Sequence, residues 1–411
     1  MSKSSRPDEG PTRLTPDSDS SGQSPAADSE PQAADQPSIG MLRRYKRFIL
    51  LAANVGLSLG IVAALVYQAV STKVTYTPTG STTEQTESVV SFLTQGTIGW
   101  GFLILGAVCC MLGAVLTFIR WWYLVWTLGI PLRLTDALRM GFIGYLFNLA
   151  PAGVVGGDVI KSILIARKHP EHRTKSVASV FIDRIIGLYI LFVVALGAAI
   201  LSGLWKLDDP ETQAMFYVAM TVSAVGAVGI GLLMWPAVMD GKLVRKLEHI
   251  PRVGHIFEKV VEALRQYRDQ PMVLVVAALI TVGVHTSVGT GIFLIAKSLY
   301  SESANFATLP YGETLLVFSL SASTGAIPLA AGPFETLLNV LYVSVGKAVG
   351  VATAIGQGTI IALMYRVCTI VIATIGFVYY LVSRREVVEA AHDAEELDDP
   401  MALDAAPETT G

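Results

Sequence analysis

Apolar runs as long as a bilayer is thick constrain this chain more than any other feature. They fall near residues 48–70, 98–119, 176–204, 214–235, 272–296 and 351–382. About 18–20 consecutive apolar residues span the hydrocarbon core as one helix. In that core each unpaired backbone N–H or C=O costs several kcal/mol, so a spanning segment must be a helix or part of a closed barrel. These runs are too long, and too uniformly apolar, for barrel strands. The expected fold class is all-α: a polytopic helical membrane protein with about six full spans. Composition agrees, with 52% hydrophobic and only 15% charged residues.

Charge sets the orientation. The net charge of -3 conceals an uneven distribution, because residues 1–40 carry three bases and seven acids and residues 384–411 carry two bases and nine acids. The 25 bases and 17 acids between them make the membrane part basic. Twenty bases flank the runs on one side, in segments 43–47, 120–139, 167–175, 239–271 and 384–385, against four on the other: Lys73, Lys206, Lys297 and Lys347. Basic flanks stay inside. Both termini are therefore expected in the cytoplasm and residues 71–97 outside, in a cell inner (plasma) membrane. Residues 1–40 and the acidic 384–411 read as disordered tails, since neither can bury apolar surface. The first apolar run follows about forty polar residues and is too long for a signal-peptide core. Segment 239–271 reads as an amphipathic helix on the cytoplasmic surface. Arg120 to Trp126, rich in Trp and Tyr, reads as the inner interfacial belt, followed by a short interfacial piece over 131–139.

Two stretches break the apolar pattern. In Asn148 to Lys161, the residues Pro151, Gly156, Gly157, Asp158 and Lys161 interrupt a segment that is apolar on both sides. Basic segments flank it at either end, so a single crossing would put one of them outside. A re-entrant hairpin over about 140–166, entering from the cytoplasm, keeps both inside. A second break, Ser321 to Glu335 with Pro328, Gly332 and Pro333, predicts a hairpin over about 314–346 that enters from outside. Interrupted helices of opposite sidedness are a mark of inverted-repeat transporters, whose substrate sites lie near the midplane.

Six ionisable residues fall in or against these segments: Asp158, Lys161, Asp183, Arg184, Glu335 and Arg366. Their charges cancel, but each costs about 2.5–3.5 kcal/mol at the membrane centre unless it pairs, snorkels or meets water. Asp158 and Lys161, three apart, share a helix face and can pair. Asp183 and Arg184 are adjacent, diverge, and each needs a partner elsewhere. Glu335 opens a half-helix, where the dipole favours an anion. Arg366 is a natural partner for an acid or a lipid phosphate. The competing structural readings are interfacial residues at 183–184, a closed hairpin at 158–161 and a structural pair at 335–366.

Several chemistries are disfavoured. Cys109, Cys110 and Cys368 all lie in apolar runs and read as packing residues. The close histidine pairs are His169/His172 and His249/His255; the first sits in a basic loop with no nearby acid beyond Glu171, which disfavours a metal site, and His285 reads as a packed span residue. The chain has no phosphate-binding Gly-x-x-x-x-Gly-Lys loop, nucleophile elbow or dinucleotide motif, so no cofactor, metal or nucleic-acid partner is expected.

The order Asn148-x-x-Pro151…Gly156-Gly157-Asp158-x-x-Lys161, Asp183-Arg184, Pro328…Gly332-x-Phe334-Glu335 and Tyr365-Arg366 resembles the membrane domain of the lysylphosphatidylglycerol synthase/flippase family over roughly residues 45–382. That family includes many stand-alone membrane proteins. The resemblance implies a domain that moves a phospholipid, or a related polyprenyl-linked lipid, between leaflets. It makes Asn148, Asp158, Lys161, Asp183, Arg184, Glu335 and Arg366 the candidate lipid-binding residues. Lys161 stands where the family commonly has Arg, and Leu-Ala-Ala-Gly-Pro-Phe-Glu replaces a glycine-richer second hairpin. Only an acidic stretch of about thirty residues follows the last run, so the family's aminoacyl-transferase domain is expected to be missing and the chain is not expected to be an enzyme. Two alternatives remain at this level. One is an intramembrane transferase acting on lipid headgroups with Asp158 or Glu335 as base. The other is a non-catalytic membrane partner of a separate synthase or glycosyltransferase.

Overall fold

A computed structural model describes residues 73–76, 85–88, 98–149, 153–235, 267–268, 270–300, 307–327, 329, 332–353 and 355–383. The expected first span (48–70), both tails, most of the 239–271 segment, and Pro151 and Pro328 lie outside these residues. The chain begins here with two short antiparallel strands, β1 (Lys73–Tyr76) and β2 (Gln85–Ser88), in the register Lys73 opposite Ser88. This Thr-rich pair is the one departure from helix among the described residues.

Nine α-helices follow among the described residues: α1 (Trp100–Thr127), α2 (Leu134–Phe147), α3 (Gly153–Lys168), α4 (Arg173–Leu201), α5 (Pro210–Met234), α6 (Pro271–Tyr300), α7 (Tyr311–Ala322), α8 (Pro333–Ala348) and α9 (Gln357–Val382). Five of them, α1, α4, α5, α6 and α9, are long and apolar enough to cross a membrane. Aliphatic side chains such as Ile104, Val108, Val225, Val228 and Val371 stand exposed on their outer faces. That surface matches a lipid solvent, which does not penalise it.

Small residues set the close contacts. Helix α1 packs most extensively on α6, and the two run antiparallel: Gly99 N–H donates to Ser298 O (2.8 Å), Gly106 faces Gly291, and Gly113 faces Val284. A methyl at Gly106 would sit 3.0 Å from Gly291 O, and one at Gly291 would sit 2.9 Å from Gly106 O. The backbones therefore touch at this crossing, as small residues allow between membrane helices.

Packing partners recur in two halves. Helix α1 packs on α2, α2 on α3 and α3 on α4; correspondingly, α6 packs on α7, α7 on α8 and α8 on α9. The cross-contacts also correspond, since α2 packs on α9 and α7 packs on α4. Weak sequence identity between the halves hides this correspondence.

The first interrupted segment departs from expectation in two respects. Helix α2 starts at Leu134, so no separate interfacial piece occupies 131–139. Asp136 in its first turn meets the positive helix end and pairs with Lys168 in the last turn of α3 (2.6 Å), tying the base of the α2–α3 pair. Gly156 and Gly157 do not break the chain, because they lie inside α3, and the non-helical turn falls after Asn148, the α2 C-cap. A Cβ at Gly157 would collide with Gly144 O and Asn148 Oδ1, so Gly157 is a contact residue. In the second segment Gly332 takes φ 109° and Pro333 begins α8, a backbone geometry suited to glycine followed by a first-turn proline.

Candidate functional site

The site grows from α3 and α4. On α3, Asp158 and Lys161 face one way, and Lys161 Nζ lies 2.9 Å from Asp158 Oδ1. On α4, Arg184 reaches the same carboxylate with both arms of its fork: Nη2 donates to Oδ1 (2.8 Å) and Nε donates to Oδ2. Two cations thus share one carboxylate. Lys161 is buried, and its ammonium lies 5.6 Å from the centre of the Trp121 ring. Arg184, by contrast, is 42% exposed at its side chain, which opens into a cavity.

Asp183 turns to the other side of α4, as adjacency on a helix demands. Its partner is Arg120 on α1, whose Nε donates to Asp183 Oδ1 (2.7 Å) and whose Nη1 donates to Thr281 Oγ1 on α6 (3.1 Å). Arg120 and Asp183 are both buried, and Asp183 Oδ2 has no hydrogen-bond partner among the described residues. His285 Nε2 lies 3.0 Å from Gly187 O; a carbonyl only accepts, so that nitrogen carries the hydrogen.

Arg120 was expected in an interfacial belt and is instead a buried ion-pair residue, with Trp121 buried beside it. Only part of the aromatic run faces out, Trp126 most of all. One signal for Arg120 lay in the sequence: Asp183 and Arg184 diverge, so Asp183 needed a base from elsewhere, and Arg120 ends an apolar run.

A cavity of about 610 Å³ lies over this network. Asp158, Arg184, Arg120 and Asp183 line its polar part, and Val159, Ile163, Val180, Phe181, Leu188 and Leu191 contribute to its apolar wall. A second cavity of about 170 Å³ is lined by Lys161, Arg184, Asn148, Tyr145, Tyr365 and Thr117, among others. Thr117 and Arg184 belong to both linings.

Glu335 and Arg366 form a separate pair between α8 and α9. Arg366 Nη2 and Nε donate to Glu335 Oε1 (2.5 and 3.2 Å), while Glu335 Oε2 accepts from Gly332 N–H (2.7 Å) at the helix start. They line neither of the two cavities, although the neighbouring Tyr365 lines the smaller one and its ring lies 5.6 Å from that of Phe334. The structure thus brings Asn148, Asp158, Lys161, Asp183 and Arg184 to one place and sets Glu335 with Arg366 in another. Within the two-half correspondence, both the Asp158–Arg184 and Glu335–Arg366 pairs bridge the second arm of an interrupted segment to the following long helix.

Five helices long and apolar enough to cross a membrane define a multi-pass integral membrane protein, and three of them, α1, α4 and α6, contribute to the lining of the amphipathic cavity. The chain belongs to the lysylphosphatidylglycerol synthase TM region family, whose pattern matches residues 85–376. No curated protein and no solved structure matches it.

Proposed function

We propose that this protein moves a phospholipid, or a polyprenyl-linked lipid, between the two leaflets of the plasma membrane and acts as a transporter rather than an enzyme. One observation carries this reading: a cavity among the long helices has an aliphatic wall and an ion-pair network at its polar part. That pattern is complementary to a lipid, whose headgroup needs charge partners where no bulk water supplies them.

The interrupted segments supply the means. Helices α2, α3, α7 and α8 have 12–16 residues. At 1.5 Å per residue they reach about 18–24 Å, short of the ~30 Å hydrocarbon core. We read α2–α3 as a hairpin entering from the cytoplasm and α7–α8 as one entering from outside. With a first span at 48–70 this gives six full spans, with both termini cytoplasmic. Alternating closure of the two hairpins would expose the cavity to each face in turn, and a separate synthase or transferase would supply any modified lipid.

The test is reconstitution of the full chain into vesicles with labelled phospholipids and, separately, labelled polyprenyl-linked sugars. Protein-dependent leaflet exchange is expected for at least one class, slowed about tenfold or more in Asp158→Asn, in line with loss of a charge-assisted contact. Absence of exchange for every class overturns the reading. A lipid chemically altered only when Asp158 is present would identify a transferase instead.

A further inference from the structure

The two cavities differ in chemistry and adjoin at two shared lining residues, Thr117 and Arg184. The larger has the aliphatic wall. The smaller, less than a third of its volume, is lined by Lys161 and Arg184 together with Tyr145, Tyr365, Thr117 and Asn148, and by no carboxylate. The charge count is also uneven. Arg120 and Asp183 neutralise each other, whereas Lys161 and Arg184 share the single carboxylate of Asp158. One positive charge is left over beside a buried lysine. A surplus positive charge at the lining of an interior cavity is poorly compensated, so an interior arranged this way is stabilised by a second anion. The Trp121 ring under Lys161 offsets part of that cost but supplies no net charge.

We propose that the smaller cavity is the subsite for the phosphate of an anionic amphiphile whose alkyl chain lies in the larger cavity. Lys161 and Arg184 hold the phosphate oxygens, the Tyr145 and Tyr365 hydroxyls donate to those that remain, and Arg184 and Thr117, whose own hydroxyl donates to Gly113 O, mark the junction of head and tail. The surplus charge selects anionic headgroups over cationic ones. The inference rests on the lipid-transport reading but concerns equilibrium binding. Saturable binding without leaflet exchange would sink transport and leave the subsite standing; exchange without the binding pattern below would do the reverse.

The full chain, purified in an uncharged detergent, is titrated with decyl phosphate, decanol, inorganic phosphate and decyltrimethylammonium. Decyl phosphate is expected to bind saturably and at least about tenfold more tightly than decanol or inorganic phosphate, the worth of one added charge-assisted contact. Decyltrimethylammonium is expected not to displace it. Lys161→Met should weaken decyl phosphate and inorganic phosphate about tenfold or more while leaving decanol unchanged, which also shows that the variant is folded. Leu191→Trp, filling the larger cavity, should weaken decanol and decyl phosphate and leave inorganic phosphate unchanged. Unchanged decyl phosphate affinity in Lys161→Met, or displacement by the cationic amphiphile, overturns the proposal. Inorganic phosphate binding as tightly as decyl phosphate assigns the cavity to the free ion and overturns the lipid subsite.

Discussion

Asp183 and Arg120 illustrate how a single buried pair fixes three helices, α1, α4 and α6, through one guanidinium. Removing one partner strands a buried charge, which typically costs about 3–5 kcal/mol, whereas replacing both with apolar residues of similar volume is often neutral. Asp183→Leu alone should therefore sharply lower the thermal stability of the detergent-solubilised protein. Arg120→Met combined with Asp183→Leu should recover most of the loss. A double variant as unstable as the single would deny the pairing. At the surface, Asp209 caps α5: Thr212 Oγ1 (2.5 Å) and N–H (2.9 Å) both donate to its Oδ2. The Thr212 side-chain bond, then the backbone bond, hold its carboxyl below the ordinary value. A depressed folded pKa contributes stability that is complete above the unfolded value and disappears as pH falls through the folded one. Amide protection factors in the first turn of α5, taken relative to the intrinsic exchange rate at each pH, should fall over that acidic window, and Asp209→Ala should abolish the fall.

The elements show where reading a sequence succeeds and where it stops. Long helices were legible because apolar length alone specifies them, and α4, α5 and α6 begin and end within a few residues of the apolar runs. The second break was legible through Gly332-Pro333, whose backbone demands are local. At Gly156-Gly157 the same reasoning misplaced the break, because both lie inside a helix and Gly157 answers a neighbouring helix and not the local chain. Sequence holds no local sign of a backbone approach. Arg120 was obscured for a related reason: an arginine beside tryptophans suits an interface as well as a buried pair. Of the candidate site, Asp158–Lys161 was visible from spacing, and the need of Asp183 and Arg184 for distant partners from adjacency. The position of the partners was not. Two glycines give a direct test. Gly157→Ala should drive α2 and α3 apart and lower stability. Gly197→Ala, in α4 with open space around it, should be neutral or stabilising by up to about 1 kcal/mol from helix propensity. Equal effects in thermal unfolding would contradict the close α2–α3 contact.

At the scale of the whole molecule, the proposed opposite sidedness of the interrupted segments is open to chemical labelling. In a background with Cys109, Cys110 and Cys368 replaced, Lys168→Cys at the end of α3 should react with a membrane-impermeant maleimide only in inside-out vesicles. Lys347→Cys near the end of α8 should react only from outside. Both labelling from one face would remove the two-sided arrangement. Helix α5 then acquires a reason to exist. Among the described residues its main helix partners are α4 and α8, and just 17% of its apolar stretch is buried. Its contribution is one of parity. A half made of two crossings and a hairpin returns the chain to the side on which it started, so two such halves joined directly would point the same way. The antiparallel crossing of α1 and α6 at Gly106 and Gly291 requires an odd number of crossings between the halves, and α5 supplies one. A span that adds little to the core thus decides which way up the second half is inserted.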